Sequence, residues 1–124
     1  VADKDLSSPQ EFFAGHPLAL EVYERVRSVL TTMGSFEVRV SKSQVAFRRR
    51  RGFAYLWLPG QYLSAPSAEV VLSIALGRHH PSRRFKEVAH PARQQWMHHL
   101  EVRNVGELDR DVEWWLREAF DRAP

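Results

Sequence analysis

A two-layer α+β domain is the fold class the sequence predicts, with an antiparallel sheet of about six strands and with two N-terminal helices and one C-terminal helix packed on one face. Three observations predict it. Apolar residues recur at helical spacing near both ends of the chain, the period drops to two over several short runs between them, and turn residues separate those runs. The length of 124 residues suits one domain with a core of its own, expected over residues 8–124 behind a polar, disordered tail at 1–7.

The elements follow in chain order. Ser8, Pro9 and Glu11 have the spacing of a capping box with proline in the first turn, so a short helix starts there, anchored by Phe12 and Phe13 and ended by Gly15. His16 and Pro17 open a longer helix to about Met33, with Leu18, Val22, Val26, Val29, Leu30 and Met33 on one face and Gly34 as its stop. From Phe36 to Ser41 apolar and polar residues alternate as in a half-buried strand.

A second strand runs over Gln44–Arg49, with Val45, Phe47 and Arg49 on one face and Ala46, Arg48 and Arg50 on the other. After Gly52 a third strand points Phe53, Tyr55 and Trp57 one way and Ala54, Leu56 and Leu58 the other, with Trp57 and Trp96 expected on the helix-facing side. Pro59, Gly60, Ala65 and Pro66 mark a loop over 59–68. The run EVVLSIAL, residues 69–76, has almost no polar alternation and reads as a central strand covered on both sides. Two more strands are expected, near Phe85–Ala89 and over Gln95–Arg103, joined through His90 and Pro91. Asn104 and Glu107 resemble the cap of a final helix whose apolar stripe is Leu108, Val112, Trp115, Leu116 and Ala119.

Composition narrows the chemistry. The absence of cysteine excludes disulfides, thiol nucleophiles and iron–sulfur ligation. No apolar run approaches the length that spans a bilayer, roughly 18 residues or more, and no opening segment reads as a signal peptide, so a cytoplasmic protein without a membrane partner is expected. The net charge of +3 is modest but unevenly placed. Lys42 and Arg48–Arg51 form one basic stretch, Arg78, Arg83, Arg84 and Lys86 with His79 and His80 form another, and residues 101–124 carry seven acids against four arginines.

Three features offer chemistry. Strand alternation puts Arg48 and Arg50 on one face about 7 Å apart, with Arg39 on the neighbouring strand; guanidinium forks there suit phosphate or carboxylate oxygens, and Tyr55 offers a stacking platform. The same arginines also suit a solubilising role or pairing with the acidic C-terminal segment. His79, His80, His98 and His99 include ordinary zinc-ligand types, but adjacent strand residues face opposite ways and no HExxH spacing or spaced carboxylate completes a set, so no metal or other cofactor is expected. His98 is expected to be structural at the core edge and His99 to lie on the outer face, where Glu101, two residues on, makes a base with an orienting acid one reading of the pair. Ala54, Leu56, Leu58 and part of EVVLSIAL are expected on the uncovered face, where the 59–68 loop, a second copy or a small apolar ligand would pack.

The segments SKSQVAFRRRRGFAYLWLP at 41–59, VVLSIAL at 70–76, WMHHLEV at 96–102 and LDRDVEWWLREAF at 108–120 resemble a small uncharacterised bacterial domain family, some larger relatives of which are labelled predicted transport protein. The resemblance covers roughly residues 10–122. It implies weight at Lys42, Phe47, Arg50, Phe53, Ala54, His98 and His99, and it brings no catalytic assignment. The functional expectation is binding of an anionic ligand or partner, a small molecule or nucleic acid, through Arg39, Arg48, Arg50, Tyr55, His99 and Glu101. The alternatives are a homodimerising accessory module and an enzyme using His99 and Glu101.

Overall fold

The structure is a computed structural model and describes residues 8–124; the segment expected as a tail at 1–7 lies outside them. Helix α1 spans Pro9–Phe12, and its capping box forms as predicted, with the Glu11 amide donating to Ser8 Oγ and the Ser8 amide donating to Glu11 Oε1. Helix α2 spans Pro17–Thr31. His16 supplies no side-chain cap to it; the Ala19 amide instead donates to Glu69 Oε2 at 3.0 Å, so a carboxylate fifty residues away neutralises the positive helix end. Among the described residues no helix is long and apolar enough to cross a membrane.

Six antiparallel strands follow: β1 Glu37–Val40, β2 Val45–Arg48, β3 Gly52–Trp57, β4 Val70–Leu76, β5 Glu87–Ala92 and β6 Gln95–Val102, in the order β1-β2-β3-β4-β6-β5. The central strand β4 is buried at every residue, as its apolar run, broken only by Ser73, predicts. Strand β5 begins after Phe85 and carries Pro91, which an edge strand with a register shift tolerates. The last helix, α3, spans Arg110–Asp121 and is capped by Asp109, whose carboxylate accepts from the Val112 amide. The Asn104 and Glu107 spacing therefore belongs to a separate 3-10 turn, Val105–Glu107, and not to the helix cap.

The helices cover one face of the sheet, and the core lies between the two layers. Register places Val45, Phe47, Ala54, Leu56, Leu72, Ile74, Leu100 and Val102 on that face, in one cluster with Val22, Val26 and Leu30 of α2 and Val112, Trp115 and Leu116 of α3. Tyr23 stacks on Phe47 with ring centroids 5.8 Å apart. This corrects the predicted phase of β3: Ala54, Leu56 and Leu58 point to the helices, and Tyr55 and Trp57 point to the outer face. A bulge completes the correction. Phe47 pairs with Ala54 but Arg48 pairs with Gly52, so Phe53 is an extra residue, and it turns inward to meet Phe120 edge-on at 5.6 Å.

The arginine-rich hairpin divides by function. Arg49 donates to the Phe120 carbonyl at 2.8 Å with its guanidinium 3.9 Å from the Phe120 ring centre, and Arg51 donates to the Arg122 carbonyl at 2.7 Å. Both thus satisfy carbonyls at the negative end of α3. Replacing Arg49 with alanine is expected to lower the unfolding free energy by about 1–2 kcal/mol, whereas Arg50→Ala, on the exposed turn, should stay within about 0.5 kcal/mol of the parent; urea denaturation of both variants checks the contrast.

Candidate functional site

The outer face of the sheet carries no helix, and its relief follows from side-chain size. On β4 the outward residues are Val71, Ser73 and Ala75; on the flanking strands they are Tyr55 and Trp57 on one side and Met97, His99 and Glu101 on the other. Small residues between two rows of large ones make a trough. At its centre is a cleft of about 430 Å³ with Ser73 and His99 in its floor, Tyr55, Trp57 and Tyr62 as aromatic walls, and Ser43, Gln44 and Met97 at the margin.

The floor is a hydrogen-bonded chain. Trp57 Nε1 donates to Ser73 Oγ at 2.8 Å, and Ser73 Oγ lies 2.6 Å from His99 Nδ1. Ser73 is only 3% exposed, so this chain is what satisfies a hydroxyl that burial would otherwise penalise. Trp57 meets His99 edge-on at 5.9 Å and Tyr62 at 6.2 Å. Burial lowers the His99 pKa, with the Glu87 carboxylate pulling the other way; Glu87 is His99's cross-strand neighbour. The imidazole is therefore held toward its neutral form. Burial raises the Tyr55 pKa and the charge of Arg48 opposes it; Arg48 pairs with Gly52, across which the Tyr55 ring lies.

The sequence-predicted residues fall into three groups. Arg39, Arg48, Tyr55 and His99 share the outer face: one row of cross-strand neighbours runs Arg39, Ala46, Tyr55, Ser73, His99, Glu87 across all six strands, with Arg48 diagonal to Arg39. Arg39 and Arg48 make no ion pair among the described residues, although Glu37 faces Arg48 across the β1–β2 ladder. Arg50 lies beyond the ladder on the hairpin turn, so strand alternation does not set its direction.

Glu101 shares the face but serves another network. It accepts from Lys86 Nζ at 2.9 Å, from Arg103 at 2.7 Å and from Ser67. Those donors hold its carboxyl down to about 2, the Ser67 hydroxyl being the largest influence. Among the described residues His99 makes no hydrogen bond to it.

The second basic stretch is largely spent on the acidic C-terminal segment. Arg78 grips Glu118 with two bonds of 2.9 and 2.8 Å, and Arg84 grips Asp109 at 2.9 and 3.0 Å while donating to the Glu107 carbonyl. The charge asymmetry legible in the sequence is thus an internal pairing. His98 is fully buried; its Nδ1 lies 3.0 Å from the Trp96 carbonyl and its Nε2 accepts from the His80 amide at 2.9 Å, the structural role expected of it. Trp96 lies at the end of the helix-facing side, half-buried and stacked on His90 with centroids 3.5 Å apart.

Sequence reasoning missed Trp57 and Tyr62 as cleft walls. The available signal was the small residue in the middle of EVVLSIAL, which marks the floor of a trough once large residues flank it.

A family model described as Domain of unknown function (DUF5655) matches residues 10–123, so the chain belongs to that family, in agreement with the resemblance in its sequence. No curated protein and no solved structure matches the chain.

Proposed function

We propose that this member of the DUF5655 family is a binding module whose working surface is the helix-free face of the sheet, with the cleft above Ser73 and His99 as the ligand seat and Arg39 and Arg48 as an anion-attracting flank. The observation that carries this reading is the chain from Trp57 through Ser73 to His99 at the floor of an aromatic cleft, a small set of oriented polar groups inside apolar walls. Catalysis is a weaker reading of the same groups. The Ser73 oxygen already accepts an indole hydrogen, and β4 is paired on both sides, which commits the strand's backbone amides to the sheet and supplies no oxyanion hole.

The test is nuclear magnetic resonance of the chain with nitrogen-15 in its tryptophan indoles, titrated with planar fragments: benzamide, nicotinamide, uracil and adenine. At least one is expected to shift the Trp57 indole signal saturably while leaving that of exposed Trp114 in place, and Trp57→Ala should remove the fragment's binding. If no fragment moves the Trp57 signal at millimolar concentration, the cleft is not a ligand seat.

A second reading, a homodimerising accessory module, has its own support. The cross-strand row ends in Arg39 on one edge and Glu87 on the other, with Tyr55 and Ser73 between them. A two-fold axis through its middle would set each charged end against the opposite charge of a second copy. Sedimentation at micromolar concentration decides it: a dimer dissociated by Arg39→Glu and restored by adding Glu87→Arg supports this reading, and a monomer excludes it.

A further inference from the structure

The chemistry of the ligand can be narrowed, on the premise that the cleft binds one. Hydrogen inventory fixes the donor it meets. The Trp57 indole can only donate, and it donates to Ser73 Oγ. The Ser73 hydrogen then has His99 Nδ1 as its partner at 2.6 Å; a hydrogen on Nδ1 would instead leave the buried hydroxyl facing two donors with its own hydrogen unused. His99 therefore carries its proton on Nε2. That nitrogen has no hydrogen-bond partner among the described residues, and no buried side-chain nitrogen or oxygen lacks one, so the Nε2 hydrogen is open to solvent.

The surroundings of this donor select its acceptor. Glu87 lies across the β5–β6 ladder from His99, so a carboxylate or phosphate at Nε2 would face a like charge, whereas a carbonyl or ring nitrogen would not. Trp57 and Tyr62, meeting edge-on, offer apolar walls to a planar ring. Toward the other edge of the sheet the balance reverses: Arg48 pairs with Gly52, across which the Tyr55 phenol lies, with Arg39 diagonal to it and Glu37 the acid facing them. His99 on β6 and Arg48 on β2 are three strand spacings apart and offset by two residues along the strands, about 16 Å between backbones, and side chains leaning inward from both ends shorten that gap.

We infer that the cleft takes a nucleoside monophosphate, with the uncharged base accepting from His99 Nε2 between the aromatic walls and the phosphate lying toward Arg48 and Arg39. A heterocycle and an anion held one sugar apart match a neutral donor within the cleft and a cationic flank beyond its Tyr55 wall.

The test titrates the full chain with AMP and UMP, with adenosine, uridine and inorganic phosphate as comparators, following the Trp57 indole signal. At least one monophosphate is expected to bind about tenfold more tightly than its nucleoside, with added salt eroding that difference and with phosphate alone leaving the Trp57 signal unmoved. An Arg39→Ala, Arg48→Ala double variant, altered at one exposed and one half-buried position outside the cleft lining, should bring the monophosphate down to nucleoside affinity and leave the nucleoside unchanged. Equal affinity of nucleoside and monophosphate, or full affinity in the double variant, overturns the inference. If fragments bind but neither nucleosides nor monophosphates do, the ligand class is wrong and the cleft reading stands; if the fragments also fail, both fall.

Discussion

Replacing His98 with alanine is expected to lower the unfolding free energy by about 3 kcal/mol, the effect of emptying a fully buried ring position and orphaning two backbone groups at once. The ring presents Nδ1 to the Trp96 carbonyl and accepts from the His80 amide, so it joins β6 to the turn after β4 while packing edge-on against Phe85 at 4.7 Å. Exposed His79, by contrast, should tolerate alanine to within about 0.5 kcal/mol. Urea denaturation at pH 7.5 compares the two, and equal midpoints for both variants would refute the structural role of His98.

The same residue makes stability depend on pH. Burial is the largest influence lowering the pKa of His98, His80 and His99 from the ordinary value of 6.5. Neighbouring imidazoles add to the lowering at both His98 and His80, and Arg78 adds to it at His80, while Glu118 and Asp111 oppose it at His80 and backbone hydrogen bonds oppose it at His98. His80 is faced by two donors, the Trp115 indole and the Ser82 amide; a neutral ring accepts one of them and a charged ring neither.

Between the folded and unfolded pKa values the unfolded chain binds more protons, so this stabilisation is fully present above pH 6.5 and is lost as pH falls toward the lowered folded values. Glu101, Asp109 and Glu118, all lowered by paired cations or hydroxyls, add a separate loss that begins only near their ordinary carboxylate range. The melting temperature should therefore fall in two stages on acidification, and His98→Ala should flatten the first.

How much of this was legible depends on whether a pattern carries its own phase. Alternation in β1 and β2 has a polar side, so Val38, Val45 and Phe47 identify their inner face unaided. Strand β3 is apolar on both sides, and nothing within it says whether Leu56 or Trp57 faces the helices; only the register against Val45 does. The bulge at Phe53 compounds the problem, since one extra residue reverses the alternation. Sequence proximity likewise hid the cap of α2, whose carboxylate comes from Glu69, and the division of the four arginines, two of which are claimed by carbonyls at the end of α3. Arg39, Arg48 and His99 fall on the outer face as strand parity alone indicates; Tyr55 and Trp57 share one parity on β3 and were set toward the helices for want of register.

Gly52 tests that account of the outer face most directly. Its place beside the hairpin suggests a residue kept for backbone freedom, but the backbone there is not in the left-handed region, and the constraint is occupancy: a Cβ would stand 2.2 Å from the Tyr55 hydroxyl and 2.9 Å from the ring carbon bearing it. The Tyr55 side chain lies across Gly52, and this fixes one wall of the cleft. Gly52→Ala must swing the whole ring, because shifting the hydroxyl alone leaves the ring carbon too close. The expected cost is about 1–3 kcal/mol, with loss of fragment binding at the cleft. In a Tyr55→Ala background the same substitution should cost almost nothing, and Tyr55→Phe should relieve it only in part, since the ring carbon remains. A double-mutant cycle measures this coupling. Additive effects would mean that Gly52 is required by its own backbone, and that Tyr55 is free to leave the wall it forms.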